Sequence, residues 1–132
     1  MAKKPIFTVF TVFTVLFFII PYLIFITCGC QIATPIGKDI DFNRLKDGTY
    51  EGRYKQTPND VIVKVTIANG RITNIQVVKH FSSWIGSKAN EIIPQRIIDQ
   101  QTTRVDAVSG ATNSSIVIMN AVQNAIEKAY TD

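Results

Sequence analysis

The chain predicts an α+β fold, a small antiparallel sheet with helices packed on one side, preceded by an apolar N-terminal segment. Three observations predict the folded part. Val61, Val63, Val65 and Ile67 alternate with Ile62, Lys64, Thr66 and Ala68, the period of two expected from a strand with one buried face. Asn69-Gly70 follows at once, a pair that adopts positive backbone angles at low cost and so marks a tight hairpin. Near the C-terminal end, Ile118, Ala121, Val122, Ala125, Ile126 and Ala129 recur at helical spacing, the stripe of a helix lying on a sheet.

From the N-terminus, Lys3 and Lys4 precede an uncharged run over residues 6–27. At ~1.5 Å per residue it reaches roughly 33 Å, enough to cross a hydrocarbon core of ~30 Å. The two lysines ahead of the span keep the N-terminus cytoplasmic, so the folded part is expected on the extracytoplasmic face of the cell membrane. Three Phe-Thr-Val repeats align Thr8, Thr11 and Thr14 on one ridge, suited either to helix pairing or to a lipid-facing helix whose threonines bond their own backbone. Residues 1–30 read as a membrane anchor or a signal segment. Pro21 interrupts the run close to the length of a signal-peptide core, and Cys28 and Cys30 are candidate lipid carriers, although neither is preceded by the leucine of a lipobox. Retention as a transmembrane helix, lipid anchoring and cleavage stand as the three alternatives.

Residues 31–47 hold Pro35, Gly37 and mixed charges without periodicity, and read as a linker. The domain is expected over 48–132. It opens with a short strand at 49–55 and a turn at Thr57-Pro58-Asn59-Asp60; the return strand after the hairpin covers 71–79. There Ile72, Ile75, Val77 and Val78 break parity between 72 and 75, which predicts a bulge or a longer loop. A loop with exposed-looking aromatics, Phe81 and Trp84, leads to helical residues that include Ile92, Ile93, Ile97 and Ile98. Pro94 is expected to start a new helix, because a first turn does not need the donor that proline lacks. Arg104 and Val105 read as a short strand, and a helix over 114–130 closes the chain.

Charge and composition exclude several classes of function. Of 14 Lys and Arg, Lys3 and Lys4 precede the span, so the remainder faces all 10 acidic residues in near balance. There is no basic run with interleaved aromatics, hence no nucleic-acid footprint. Both cysteines lie at the end of the apolar run and His80 is the one histidine. Iron–sulfur, haem and structural zinc sites therefore lack ligands in the folded part, and no metal site is expected. No residue reads as a substrate acid, base or nucleophile, so no catalytic residue is assigned. Any redox role must come from an organic cofactor.

One stretch carries chemistry: Asp106-Ala107-Val108-Ser109-Gly110-Ala111-Thr112-Asn113-Ser114-Ser115. Gly110 allows a tight turn and close backbone approach, and Ala111 keeps bulk away. Thr112 offers a hydroxyl just before a helix N-terminus, where unpaired N–H groups and the helix dipole favour an anion such as phosphate. Asn113, Ser114 and Ser115 add short polar side chains that could bind phosphate oxygens or cap the helix. An ordinary turn with an Asn or Ser cap would use the same composition.

This stretch closely resembles the flavinylation motif of the FMN-binding domain family, an Asp followed after two residues by Ser/Thr-Gly-Ala/Ser-Thr/Ser. The family includes domains in the covalently flavinylated peripheral subunits of sodium-pumping NADH:quinone reductases and of related ferredoxin:NAD oxidoreductases. The resemblance covers about 47–130. Asp47-Gly48-Thr49-Tyr50-Glu51-Gly52 is similar to the family's opening, Asn69-Gly70-Arg71-Ile72 to its hairpin and Asn120-Ala121-Val122 to its closing helix. It implies that a flavin transferase, which splits FAD, attaches FMN through its phosphate to Thr112. Asp106, Ser109, Gly110 and Ala111 match the recognisable part of the motif, Asn113 falls on a variable position, and Ser114-Ser115 stands where many members have Thr-Ser. Many relatives carry Glu-Thr-Pro after the second strand, and here the corresponding region is His80-Phe81-Ser82-Ser83-Trp84. Trp84 or Phe81 could stack on the flavin ring and His80 could bond its edge, or each belongs to the packing of the loop.

The resemblance implies a membrane-anchored, extracytoplasmic electron carrier, a phosphoester-linked flavoprotein served by a membrane electron donor and an outer-face acceptor protein. The alternatives are the flavin subunit of an extracytoplasmic reductase complex and a non-covalent FMN-binding or interaction module.

Overall fold

Alternating valines, an Asn-Gly turn and an alanine-rich helix dominate the architecture of the computed structural model, which describes residues 33–130. The expected membrane span and both cysteines lie outside the described residues. Among those described, no helix is long and apolar enough to cross a membrane.

Three strands, β1 (Gly48–Gln56), β2 (Asn59–Ala68) and β3 (Arg71–His80), form an antiparallel sheet in the order β1-β2-β3. Val61, Val63 and Val65 are 0 % exposed and Ile67 1 %, so the period of two places one face of β2 wholly in the core. The β2–β3 turn is Asn69 (φ 54°) and Gly70 (φ 66°), the positive-angle pair that matches the twist of a hairpin. The Asp47 carboxylate accepts from the amides of Asn69 (2.9 Å) and Gly70 (3.0 Å), which ties the chain ahead of β1 to the hairpin tip. Those two N–H groups hold the carboxyl below its ordinary pKa.

The parity break in β3 is a bulge rather than a loop. Ile67 pairs with Ile72 and Thr66 with Asn74, so Thr73 is the extra residue; a second shift leaves Val78 unpaired between Val77 and Lys79. The first connection is tighter than a four-residue turn, since β2 already begins at Asn59 and only Thr57-Pro58 separates it from β1.

Helix α1 (Ala89–Gln100) packs against β3, and α2 (Thr112–Ala129) lies on β1 and β2, also touching α1. Pro94 does not start a helix. It sits buried inside α1, because a 3-10 turn at Gly86–Lys88 runs straight into the helix and nucleates it ahead of the proline. The cost is the bond that residue 94 would have given to the Asn90 carbonyl. Arg104 and Val105 form no strand either. Here Thr103 bonds Gln123 (2.7 Å) and the Arg104 side chain reaches the Gly37 carbonyl (3.0 Å). The closing helix begins two residues earlier than its apolar stripe announces, at Thr112.

Gly52 explains how closely α2 lies on the sheet. A Cβ there would collide with the Ala121 carbonyl oxygen and stand 2.7 Å from the Ala125 amide nitrogen. Polar side chains then meet backbone groups at both edges of the sheet. Gln101 donates to the Ile72 carbonyl (2.8 Å) and accepts from the Ile72 amide (3.0 Å) on β3. On β1, Asn124 and Lys128 donate to the carbonyls of Arg53 and Glu51. Each takes up backbone groups that an open edge would present to another chain.

Residues 33–47 belong to the same compact unit as the sheet and helices. They run along α2 as a strap. Asn113 accepts from the Ala33 amide, Asn120 accepts from Ile36 and donates to the Thr34 carbonyl, and Gln123 accepts from Lys38. Leu45 then bridges to Tyr130. The strap is the reason that polar Asn120 (0 % exposed) and Gln123 (1 %) are buried on a helix whose opposite face meets the sheet.

Candidate functional site

Val108, Ser109, Gly110 and Ala111 make the turn that delivers the chain to α2. The Ala111 amide donates to the Val108 carbonyl (2.9 Å), and Gly110 takes φ 78°, the left-handed region in which a side chain is strained. Ser115 locks this turn from one level up the helix. Its buried hydroxyl donates to the Ala111 carbonyl (2.8 Å) and accepts from the Val108 amide (3.0 Å). Arg96 of α1 also donates to the Asp106 carbonyl and pins the start of the stretch.

The helix cap at the end of that turn is unusual. Ala111 occupies the N-cap position with no side chain to accept from the helix, where Ser, Thr, Asn or Asp is preferred by about 1 kcal/mol. The first helical amide with a backbone partner is that of Ser115, bonded to the Ala111 carbonyl at 2.9 Å. The amides of Thr112, Asn113 and Ser114 therefore face outward at the positive end of an 18-residue helix with no acidic residue in its first turn. A local rule of stability is broken where an anion would mend it.

These amides open on a cleft of about 260 Å³ lined by Pro58, Asn59, Ser83, Gly86, Gly110, Ala111, Thr112, Asn113 and Ser114. Thr112 is exposed, and none of the bonds that lock the turn uses its hydroxyl. Among the described residues no charged side chain lines the cleft, so backbone N–H groups, hydroxyls and the side-chain amides of Asn59 and Asn113 are what it offers a ligand. That set fits a phosphate group and an alcohol that could be esterified to it.

The residues singled out from sequence separate into two groups. Gly110, Ala111, Thr112, Asn113 and Ser114 meet at the cleft, while Asp106 and Ser109 are exposed on the turn outside its lining. Asn113 lines the cleft but spends its side-chain oxygen on the strap, at the Ala33 amide. Ser115 is the lock and is wholly buried, a role that its short polar side chain did not distinguish from capping. His80 is tied through Nδ1 to Asn90 of α1, which makes it a link between strand and helix. Phe81 (65 % exposed) and Trp84 (84 % exposed) do not pack within the loop. Sequence reasoning missed Pro58, Asn59, Ser83 and Gly86. They reach the cleft from the β1–β2 connection and the first residue of β2, and from the loop after β3 and the 3-10 turn that ends it, and nothing local to them marks it.

Comparison with known proteins gives the chain a family and a shared fold. The pattern of the FMN-binding domain family matches residues 57–127. An NADH:acrylate oxidoreductase of Vibrio harveyi is 36 % identical over 87 residues, covering 65 % of this chain and 9 % of that protein. An uncharacterized protein of Treponema pallidum (strain Nichols) is 35 % identical over 89 residues, 64 % of this chain and 24 % of its own length. An NADH:fumarate oxidoreductase of Klebsiella pneumoniae (strain 342) is 28 % identical over 87 residues, 65 % of this chain and 9 % of the enzyme. The chain thus spans about a tenth to a quarter of the curated relatives it matches. A crystal structure of a Clostridium perfringens protein superposes with a TM-score of 0.54 at 17 % identity, over 64 % of this chain and 88 % of that one, which shows a shared fold.

Proposed function

Because this chain belongs to the FMN-binding domain family, we propose that it carries FMN as a phosphoester on Thr112 and acts as a membrane-anchored electron carrier on the extracytoplasmic face. FMN is the cofactor of the family, and the module is related to the flavin portions of NADH-dependent oxidoreductases. The observation that carries the covalent reading is the bare Thr112 hydroxyl at the first position of a helix whose N-terminus has no side-chain cap.

The residues divide the work. The Thr112 Oγ–phosphorus bond forms as a flavin transferase breaks the pyrophosphate of FAD; AMP leaves and the hydroxyl proton passes to the transferase. The amides of Thr112, Asn113 and Ser114 would hold the charged phosphate oxygens, the Gly110-Ala111 turn would leave room for them, and Ser115 keeps the turn in place. Bound flavin supplies one- and two-electron transfer, with the protein contributing tethering and orientation. A membrane electron donor and an extracytoplasmic acceptor protein complete the proposal, together with the apolar segment over residues 6–27 as the anchor.

A second reading, the flavin subunit of an extracytoplasmic reductase complex, draws on the relatives in which a similar stretch forms about a tenth of a larger oxidoreductase. Co-purification with a catalytic subunit, and activity lost without it, would favour this reading. For the attachment itself, the full chain is co-expressed with a flavin transferase and analysed by intact mass and by flavin fluorescence on a denaturing gel. A mass gain of one FMN less water is expected for the wild type and none for Thr112→Val. Flavin that is present but released on denaturation would leave reversible binding in its place.

A further inference from the structure

Four of the six large apolar side chains exposed among the described residues are Val78, Phe81, Trp84 and Ile85, all at the end of β3 and in the loop that follows. Trp84 is the extreme, with 84 % of its surface in water. Its backbone is nevertheless well held. Ser87 donates from its hydroxyl to the Trp84 carbonyl (2.6 Å) and from its amide to the Ser83 carbonyl (3.0 Å), and the loop continues into the turn that starts α1. A fixed backbone with a bare indole is a platform rather than a frayed loop.

The platform stands at the rim of the Thr112 cleft. Ser83 and Gly86, on either side of Trp84 and Ile85, both line that cleft. A Cβ placed on Gly110 would come within 3.6 Å of the Ile85 side chain, so the loop meets the attachment turn directly. The cleft itself, at about 260 Å³, is smaller than the roughly 300–1,000 Å³ that encloses a drug-sized ligand. It has room for a phosphate and the start of a polyol chain. The tricyclic ring of FMN must then lie outside it, and the adjoining surface with the matching apolar, aromatic character is this loop.

We infer that Trp84, assisted by Phe81, is the seat of the isoalloxazine ring of FMN held at Thr112. The inference rests on the attachment proposed above and adds the ring contact, a role that neither the helix N-terminus nor the cleft lining supplies. His80 takes no part, since its Nδ1 is committed to Asn90 and its Nε2 is buried.

Trp84 is the single tryptophan of the sequence, which makes it its own reporter. The full chain is prepared with and without co-expressed flavin transferase, together with Trp84→Ala and Trp84→Phe, and covalent flavin per chain is set from absorbance and gel fluorescence. The expected result is a several-fold loss of tryptophan emission on loading the wild type, and a several-fold rise in flavin emission per attached flavin in Trp84→Ala, partly reversed in Trp84→Phe. Loaded wild-type protein with undiminished tryptophan emission would overturn the ring seat while leaving the attachment intact. A Trp84→Ala chain with full covalent flavin and unchanged flavin emission would do the same. Wild-type protein without covalent flavin overturns the attachment instead, so the two failures are distinguishable. The tryptophan measurement needs no variant and stands even if Trp84→Ala folds poorly.

Discussion

At the scale of single residues, the turn ahead of α2 depends on a side chain that does not line the cleft. Ser115 satisfies the Val108 amide and the Ala111 carbonyl at once, from a position with 0 % exposure. Ser115→Ala leaves that part-buried amide without its partner, a loss of about 1 kcal/mol. The expected outcome is a lower melting temperature together with slower flavin attachment, read from a denaturation curve and a time course of gel fluorescence. Ser115→Thr, which keeps the hydroxyl, should retain more of the attachment rate than the alanine variant does. Thr112 differs in kind: its side chain is exposed, so Thr112→Val should leave stability within about 0.5 kcal/mol of the wild type while abolishing attachment. The motif was legible in sequence because its composition is local. The division of labour within it was not, since a serine that locks a turn and a serine that lines a cleft are the same letter one position apart.

The elements show a similar split between pattern and packing. The alternation of β2, the Asn-Gly hairpin and the stripe of α2 were all legible, because each is a periodicity or a backbone preference carried within a few residues. Pro94 misled, because whether proline opens a helix or sits inside one depends on the turn before it, and the 3-10 turn at Gly86–Lys88 has no strong sequence signal. The parity break in β3 announced a bulge or a longer loop, and the pairing of Ile67 with Ile72 decided for a bulge at Thr73; how the strand edge at Ile72 is met takes Gln101 from beyond α1. Gly52 tests the contact between sheet and helix. Gly52→Ala places a methyl group against the backbone of α2, which must lift away at a cost of about 3 kcal/mol, the upper end of typical overpacking. Chemical denaturation of this variant should show a lower midpoint. An unchanged midpoint would mean that α2 rides higher on the sheet than the structure has it.

Over the whole molecule, the strap and the hairpin tie distant parts of the chain together, and charge makes part of that tie sensitive to acid. Asp47 and Asp60 both have carboxyl pKa values below the ordinary range, the first through the amides of Gly70 and Asn69, the second through the Arg53 guanidinium. A carboxylate favoured in the folded state contributes stability above its unfolded pKa of about 3.9, and that contribution is lost as pH falls through the lower folded value. Thermal stability should therefore fall below about pH 4, and Asp47→Asn should flatten part of that dependence. An Asp47→Asn profile parallel to the wild type down to pH 3 would show that the hairpin tie carries no proton linkage. By itself the sequence determined the class of fold, the hairpin and the closing helix, because these rest on short-range periodicity and backbone chemistry. Tertiary structure alone decided that residues 33–47 strap α2, that Pro58, Asn59, Ser83 and Gly86 join Thr112 at one cleft, and that Trp84 stands uncovered at its rim. Those outcomes depend on which segments, far apart in the chain, come to share one surface when the apolar faces of sheet and helices close on each other.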